Sequence, residues 1–215
     1  MHTRRPQAGT KGPTTGPLEW PRSEGEIQAF LDRTEYSADP FYRCPARVLR
    51  DRKAHCVDGA LFAAAALRRL GHPPLILELT AVRDDDHYVA VFRKEGLLGA
   101  IGKSNFVGLR YREPIHRTPR ELALSYFEAY YNTAGEKTLR GFSCLVDLSR
   151  FDAFEWMTRD ERIEEMTLRI EKVRHYPIAP EQALARLLPM DRRSYDAGLV
   201  GVNAAGLFDP SRPKA

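Results

Sequence analysis

The sequence predicts an α+β fold, with one apolar helix packed on an antiparallel sheet. Three observations carry that prediction. A long Ala- and Leu-rich run over 55–70 has the length and composition of a buried helix. Three segments rich in β-branched, leucine and aromatic residues follow it at 75–82, 87–93 and 97–102. The connections between them, Asp84-Asp85-Asp86 and Lys94-Glu95-Gly96, are too short for a crossover helix, so consecutive strands must run antiparallel.

Residues 1–22 are polar and rich in Gly, Pro and Thr, without the apolar stretch of a secretion signal, and read as a disordered lead-in. Ser23-Glu24-Gly25-Glu26 is a capping box that opens a short helix to about Arg33. A proline-containing loop over 34–52 holds a further short helix beginning at Pro45. The apolar helix stops at Gly71, ahead of Pro73-Pro74. Beyond the three strands, Thr118-Pro119-Arg120-Glu121 caps a helix expected to reach about Tyr131, with Tyr126, Phe127, Tyr130 and Tyr131 packing on the sheet. A strand is expected over 142–148. Thr158 and Glu161 suggest a cap for a helix with Ile163, Met166, Ile170 and Val173 on one face, and Phe154 and Trp156 are expected in the core. Residues 180–188 suggest one more helix. The organisation predicted is a single α+β domain over 23–193, elaborated with helices from about 113, and an irregular tail over 194–215 lying on the surface.

Composition narrows the function classes. Of the 215 residues, 43% are hydrophobic, enough for a sizeable core, and no run of 18 apolar residues offers a membrane span. A net charge of +4 without a basic, aromatic-interleaved stripe argues against nucleic acid. The three cysteines, Cys44, Cys56 and Cys144, with no secretion signal, predict a reducing, cytoplasmic setting.

Cys56 stands at the mouth of the apolar helix. A thiol there meets unpaired backbone N–H groups and the positive end of the helix dipole, both of which favour the thiolate. The alternative is a small buried hydrophobe, the usual role of a free cysteine, but its place at the polar start of the helix, between His55 and Asp58, is not one a core residue needs. His87 opens the second strand, one element away, where a base for a cysteine nucleophile can be held by backbone. A third group to orient that imidazole is sought just past the third strand. Asn105 is placed first and Ser104 second, since Lys103 cannot accept a hydrogen bond. Gly99-Ala100-Ile101-Gly102-Lys103-Ser104 falls out of register with a phosphate-binding loop, so no nucleotide or other cofactor is expected. His55, Cys56, Asp58, His72, Asp84, Asp85, Asp86 and His87 supply metal-ligand types without a metal-binding spacing; the aspartate run reads as a solvated turn.

The segments Arg52-Lys53-Ala54-His55-Cys56-Val57-Asp58-Gly59-Ala60, Leu67-Arg68-Arg69-Leu70-Gly71-His72-Pro73-Pro74 and Asp86-His87-Tyr88-Val89-Ala90-Val91 resemble the transglutaminase-like superfamily of papain-type cysteine enzymes over about residues 36–112. The resemblance implies a Cys-bearing helix on an antiparallel sheet, with Cys56 as nucleophile and His87 as base. It also implies acyl transfer from a peptide, amide or ester substrate through a thioester, to water or to an amine. The chain departs from the pattern at Ala54, where the family usually has glycine, and at Val89, where it often has tryptophan. It also lacks an aspartate on the third strand. The third catalytic group and the oxyanion donor therefore stay open, and a non-catalytic binding protein on the same fold remains an alternative.

Overall fold

The computed structural model describes residues 19–211. In chain order these form α1 (Glu24–Asp32), β1 (Glu35–Tyr36), α2 (Pro45–Asp51), β2 (Lys53–Ala54), α3 (Cys56–Arg69), β3 (Leu75–Ala81), β4 (His87–Lys94), β5 (Leu97–Ile101), β6 (Arg112–His116), α4 (Pro119–Leu124), β7 (Leu139–Ser143), β8 (Val146–Asp147), α5 (Ile163–Ile170), β9 (His175–Pro177), α6 (Glu181–Leu184) and α7 (Arg192–Gly198). The arrangement is α+β. The main sheet runs β6-β5-β4-β3-β7-β9, with β8 also pairing to β3 and every pairing antiparallel. β1 and β2 make a separate parallel pair.

Alternation along β4 sorts its side chains into two cores. Tyr88, Ala90 and Phe92 join Ala60, Leu61, Ala64 and Leu67 of α3. Val89 and Val91 join Leu122, Ala123, Tyr126 and Tyr130 on the opposite face. Each fully buried Leu, Val or Phe contributes about 1.5–3 kcal/mol, so the two layers hold the sheet between them. The alanines of α3 let it lie close to the sheet and to the loop after β5. A Cβ built on Gly59 would stand 2.2 Å from Lys103 Cβ. Gly59→Ala is accordingly expected to cost about 1–3 kcal/mol by overpacking, measurable as a lowered denaturant midpoint with an unchanged slope.

Several sequence expectations shift. The helix from Pro119 ends at Leu124 rather than near Tyr131. Ser125 Oγ donates to the Leu122 carbonyl at 2.6 Å, and Tyr130 turns into extended backbone whose carbonyl accepts from Thr138 N at 3.1 Å. Thr158 does not cap α5; the nearby Asp160 is instead bonded to Cys44 N at 2.7 Å and to Arg47. The strand expected over 142–148 is split into β7 and β8, while β6, β9 and α7 were not anticipated. The lead-in expected over 1–22 falls largely outside the described residues (1–18), but Trp20 stacks on Phe62 with ring centroids 5.3 Å apart, so ordered structure begins earlier than expected. The tail carries α7 and a short 3-10 turn, Ala204–Gly206, and its last four residues lie outside the described region.

Candidate functional site

The helix start that carries Cys56 is built by its two neighbours. His55 is the N-cap in extended conformation, and its Nδ1 accepts from Val57 N at 3.1 Å and Asp58 N at 3.4 Å. The Asp58 carboxylate closes the box by accepting from His55 N at 3.2 Å and also takes Arg43 N at 2.8 Å. An imidazole that accepts at Nδ1 is neutral, and burial holds His55 down at about 4. Its Nε2, 3.6 Å from Asp58, therefore makes no ion pair. Burial raises the Asp58 carboxyl to about 7, outweighing the Arg43 and His55 N–H donors and a guanidinium 3.8 Å away.

Cys56 Sγ sits 3.7 Å from the Asp86 carbonyl, and the nearby main-chain N–H groups of Tyr88 and Val57 act to lower the thiol's pKa. These donors and the helix end favour a thiolate, but the helix end is worth at most about 2 kcal/mol. Burial, with the Asp85 and Asp58 charges added, wins and pushes the thiol up to about 12. The low-pKa thiolate expected from the helix start is thus opposed by burial and by two nearby carboxylates, which favour a neutral thiol at a sulfur that is partly buried and borders an open groove. Cys44 is also raised, to about 11, chiefly by burial.

His87 is 4% exposed and begins β4. Its Nε2 lies 2.8 Å from the Leu109 carbonyl. A carbonyl only accepts, so Nε2 carries the hydrogen and Nδ1 is the basic nitrogen. Burial, aided by the Arg112 charge, brings the ring down to about 4 against the opposing effect of that hydrogen bond. The Tyr130 ring meets it edge-on at 6.4 Å.

The group that orients His87 is therefore the Leu109 main chain, and neither Asn105 nor Ser104 holds the ring nitrogen as expected. Asn105 is paired with Asn203 of the tail, and Ser104 Oγ accepts from Phe106 N at 2.9 Å. Lys103 Nζ turns inward to the Leu31 carbonyl at 3.0 Å and to that of Thr34. At Gly102 a Cβ would come within 3.3 Å of both His87 Nε2 and the Leu109 oxygen, a tight fit that a side chain could take only by small shifts of these neighbours.

Cys56, His87, Ser104 and Asn105 nonetheless wall one small cavity of ≈ 40 Å³, with Tyr36 and Tyr130. That is room for a water or a substrate carbonyl. The sulfur reaches it from the α3 side, while the imidazole lies with Gly102, Leu109 and Tyr130. No hydrogen bond joins sulfur and imidazole among the described residues. Cys56 also borders an open groove of ≈ 570 Å³ lined by Tyr42, Tyr88, Thr167 and Glu171. The aspartate run is only in part a solvated turn: Asp85 is exposed, but Asp84 is buried and accepts from Thr138 Oγ1 at 2.7 Å, and Asp86 accepts from Ala81 N at 2.7 Å. Among the described residues no group of three or more His, Cys, Asp or Glu side chains is placed to hold a metal ion. Sequence reasoning missed Leu109, Tyr36, Tyr130 and the tail. A main-chain carbonyl leaves no residue-type signature, and the other three reach the cavity only through tertiary packing.

No family model and no curated protein matches this sequence. Among solved structures, it is similar to Legionella pneumophila LapG, 19% identical over 37% of this chain and 51% of that one, with a TM-score of 0.31. It is similarly matched to the EGTA-treated form of Legionella pneumophila LapG, 19% identical over 38% and 50%, with a TM-score of 0.30. The chain thus spans about half the length of these structures.

Proposed function

We propose that this chain is a transglutaminase-like cysteine enzyme that transfers an acyl group from an amide, peptide or ester through a Cys56 thioester. One observation carries the reading: a cysteine at a helix start and a histidine held in a single tautomer border one cavity. In the reaction Cys56 Sγ attacks the substrate carbonyl as its proton passes to His87 Nδ1. The N–H of Cys56, which has no acceptor within the helix, or that of Tyr88 donates to the developing oxyanion. The C–N or C–O bond breaks as the imidazolium returns the proton to the leaving group. Water or an amine then gives its proton to Nδ1 and attacks the thioester, freeing the thiol. The Leu109 carbonyl keeps the imidazole in the working tautomer and steadies its charged form.

The test is intact-mass analysis of the full chain mixed with p-nitrophenyl acetate. A single acetyl group on Cys56, absent from Cys56→Ala, is expected, with loss of turnover in that variant. Turnover that survives in Cys56→Ala would sink the reading. The small volume of the cavity favours a second reading, a binding module that keeps the fold without turnover, and an unmodified Cys56 after long incubation selects it.

A further inference from the structure

Resting on the acyl-transfer reading, we propose that the chain's own segment 203–208 occupies part of the peptide-binding trough over Cys56 and narrows access to it, with Asn105 as the residue that grips peptide backbone there. Three cavities, of ≈ 520, ≈ 40 and ≈ 570 Å³, lie in sequence along this side of the molecule. Tyr36 lines all three, and residues of 200–209 supply walls to each. The tail is the partition between them, and lifting it would join the three into one trough with Cys56 on its floor.

The contacts that hold the tail are of the kind that would hold a substrate strand. Asn105 Nδ2 donates to the Asn203 carbonyl at 2.9 Å, and Asn203 N donates to Asn105 Oδ1 at 2.8 Å. One carboxamide thus reads the N–H and C=O of a single residue, as a neighbouring strand would, whatever that residue's side chain. Asn203 Nδ2 donates to the Tyr36 carbonyl at 2.9 Å, and Thr133 Oγ1 to the Phe208 carbonyl at 3.3 Å. Gly206 lies flat on Tyr36, where a Cβ would come within 2.7 Å of the ring. Phe208 borders both cavities that Cys56 borders. These bonds account for Asn105 without a role toward the imidazole, and they fit a peptide ligand that is extended at the one residue Asn105 grips.

The experiment is Cys56 alkylation by iodoacetamide at pH 9, followed by peptide mapping, in the full chain and in two full-length variants. Gly206→Val drives a side chain into Tyr36, and Asn203→Ala removes the bond to the Tyr36 carbonyl; either suffices if the other fails to fold. Labelling of Cys56 is expected to rise roughly tenfold, the factor that loss of one or two hydrogen bonds gives, with Cys44 unchanged. A synthetic peptide of residues 199–211 added to the variant should return the rate to that of the parent chain. Rates within twofold of the parent in both variants, or no protection by the peptide, overturn the proposal. Faster labelling without an acetyl adduct would uphold the tail's role while sinking acyl transfer. Unchanged labelling with a normal adduct would sink the tail's role alone.

Discussion

His87→Ala is expected to slow acylation of Cys56 by roughly 10²–10⁴-fold, the usual contribution of a positioned general base. His87→Gln should lose about as much. A glutamine amide can donate to the Leu109 carbonyl, as Nε2 does at 2.8 Å, but it has no basic nitrogen to receive the thiol proton. The pH profile follows from the two shifted groups. With the imidazole held at about 4 and the thiol at about 12, the pair rests uncharged between those limits. The rate of acylation should fall below about pH 4 to 5, as His87 is protonated, and hold level through neutral pH. Alkylation by iodoacetamide, which needs the thiolate without help from the base, should instead be slow at pH 7 and climb about tenfold per pH unit toward 12. Rapid alkylation of Cys56 at pH 6 would show a preformed thiolate–imidazolium pair and overturn this account.

Asp58→Ala is expected to cost about 2–5 kcal/mol of stability, because it leaves the main-chain N–H groups of Arg43 and His55 without their acceptor and takes one carboxylate from beside a buried guanidinium that keeps Ser37 and Asp39. Arg43 is 4% exposed, and its guanidinium faces Ser37, Asp39 and Asp58. Its main-chain N–H and that of His55 both end on the Asp58 carboxylate, at 2.8 and 3.2 Å. Asp58→Asn keeps one acceptor oxygen and should cost less. It should also change the pH dependence of stability in a defined direction. Asp58 is raised in the fold to about 7, so the native state holds a proton that the unfolded chain has lost, and its contribution declines as pH rises from about 4 to 7. His55 and His87 are depressed to about 4, so theirs increases over 4 to 6.5. Removing the Asp58 titration should therefore make the slope of unfolding free energy against pH more positive between 4 and 6.5. Urea melts of Asp58→Asn and the parent chain at pH 4.5, 5.5 and 6.5 check the sign, and an unchanged or shallower slope would contradict the burial assigned to Asp58.

How much of this was legible in the residues depends on the range of the interaction. The α3 run, its Gly71 stop and the three strands after it could be read because periodicity, caps and breakers act within a few residues. Cys56 at the helix start could be read for the same reason. The length of α4 could not, since Ser125 and Thr138 draw the backbone away through bonds that local propensity does not include. The sequence also misplaced the role of Asn105. It lies where an orienting group was sought, but its carboxamide is taken by Asn203, 98 residues away. The aspartate run had the composition of a solvated turn, and the packing of Thr138 against Asp84 draws that one residue into the interior.

The chain by itself decided which elements form and which residue types stand at their ends, because those depend on neighbours along the backbone. Tertiary structure alone decided the burial that shifts Cys56 and His87, the choice of the Leu109 carbonyl as the ring's partner, and the placing of tail residues along the cavities beside Cys56. Each of these depends on how much water remains around a group, and water is excluded by segments distant in sequence.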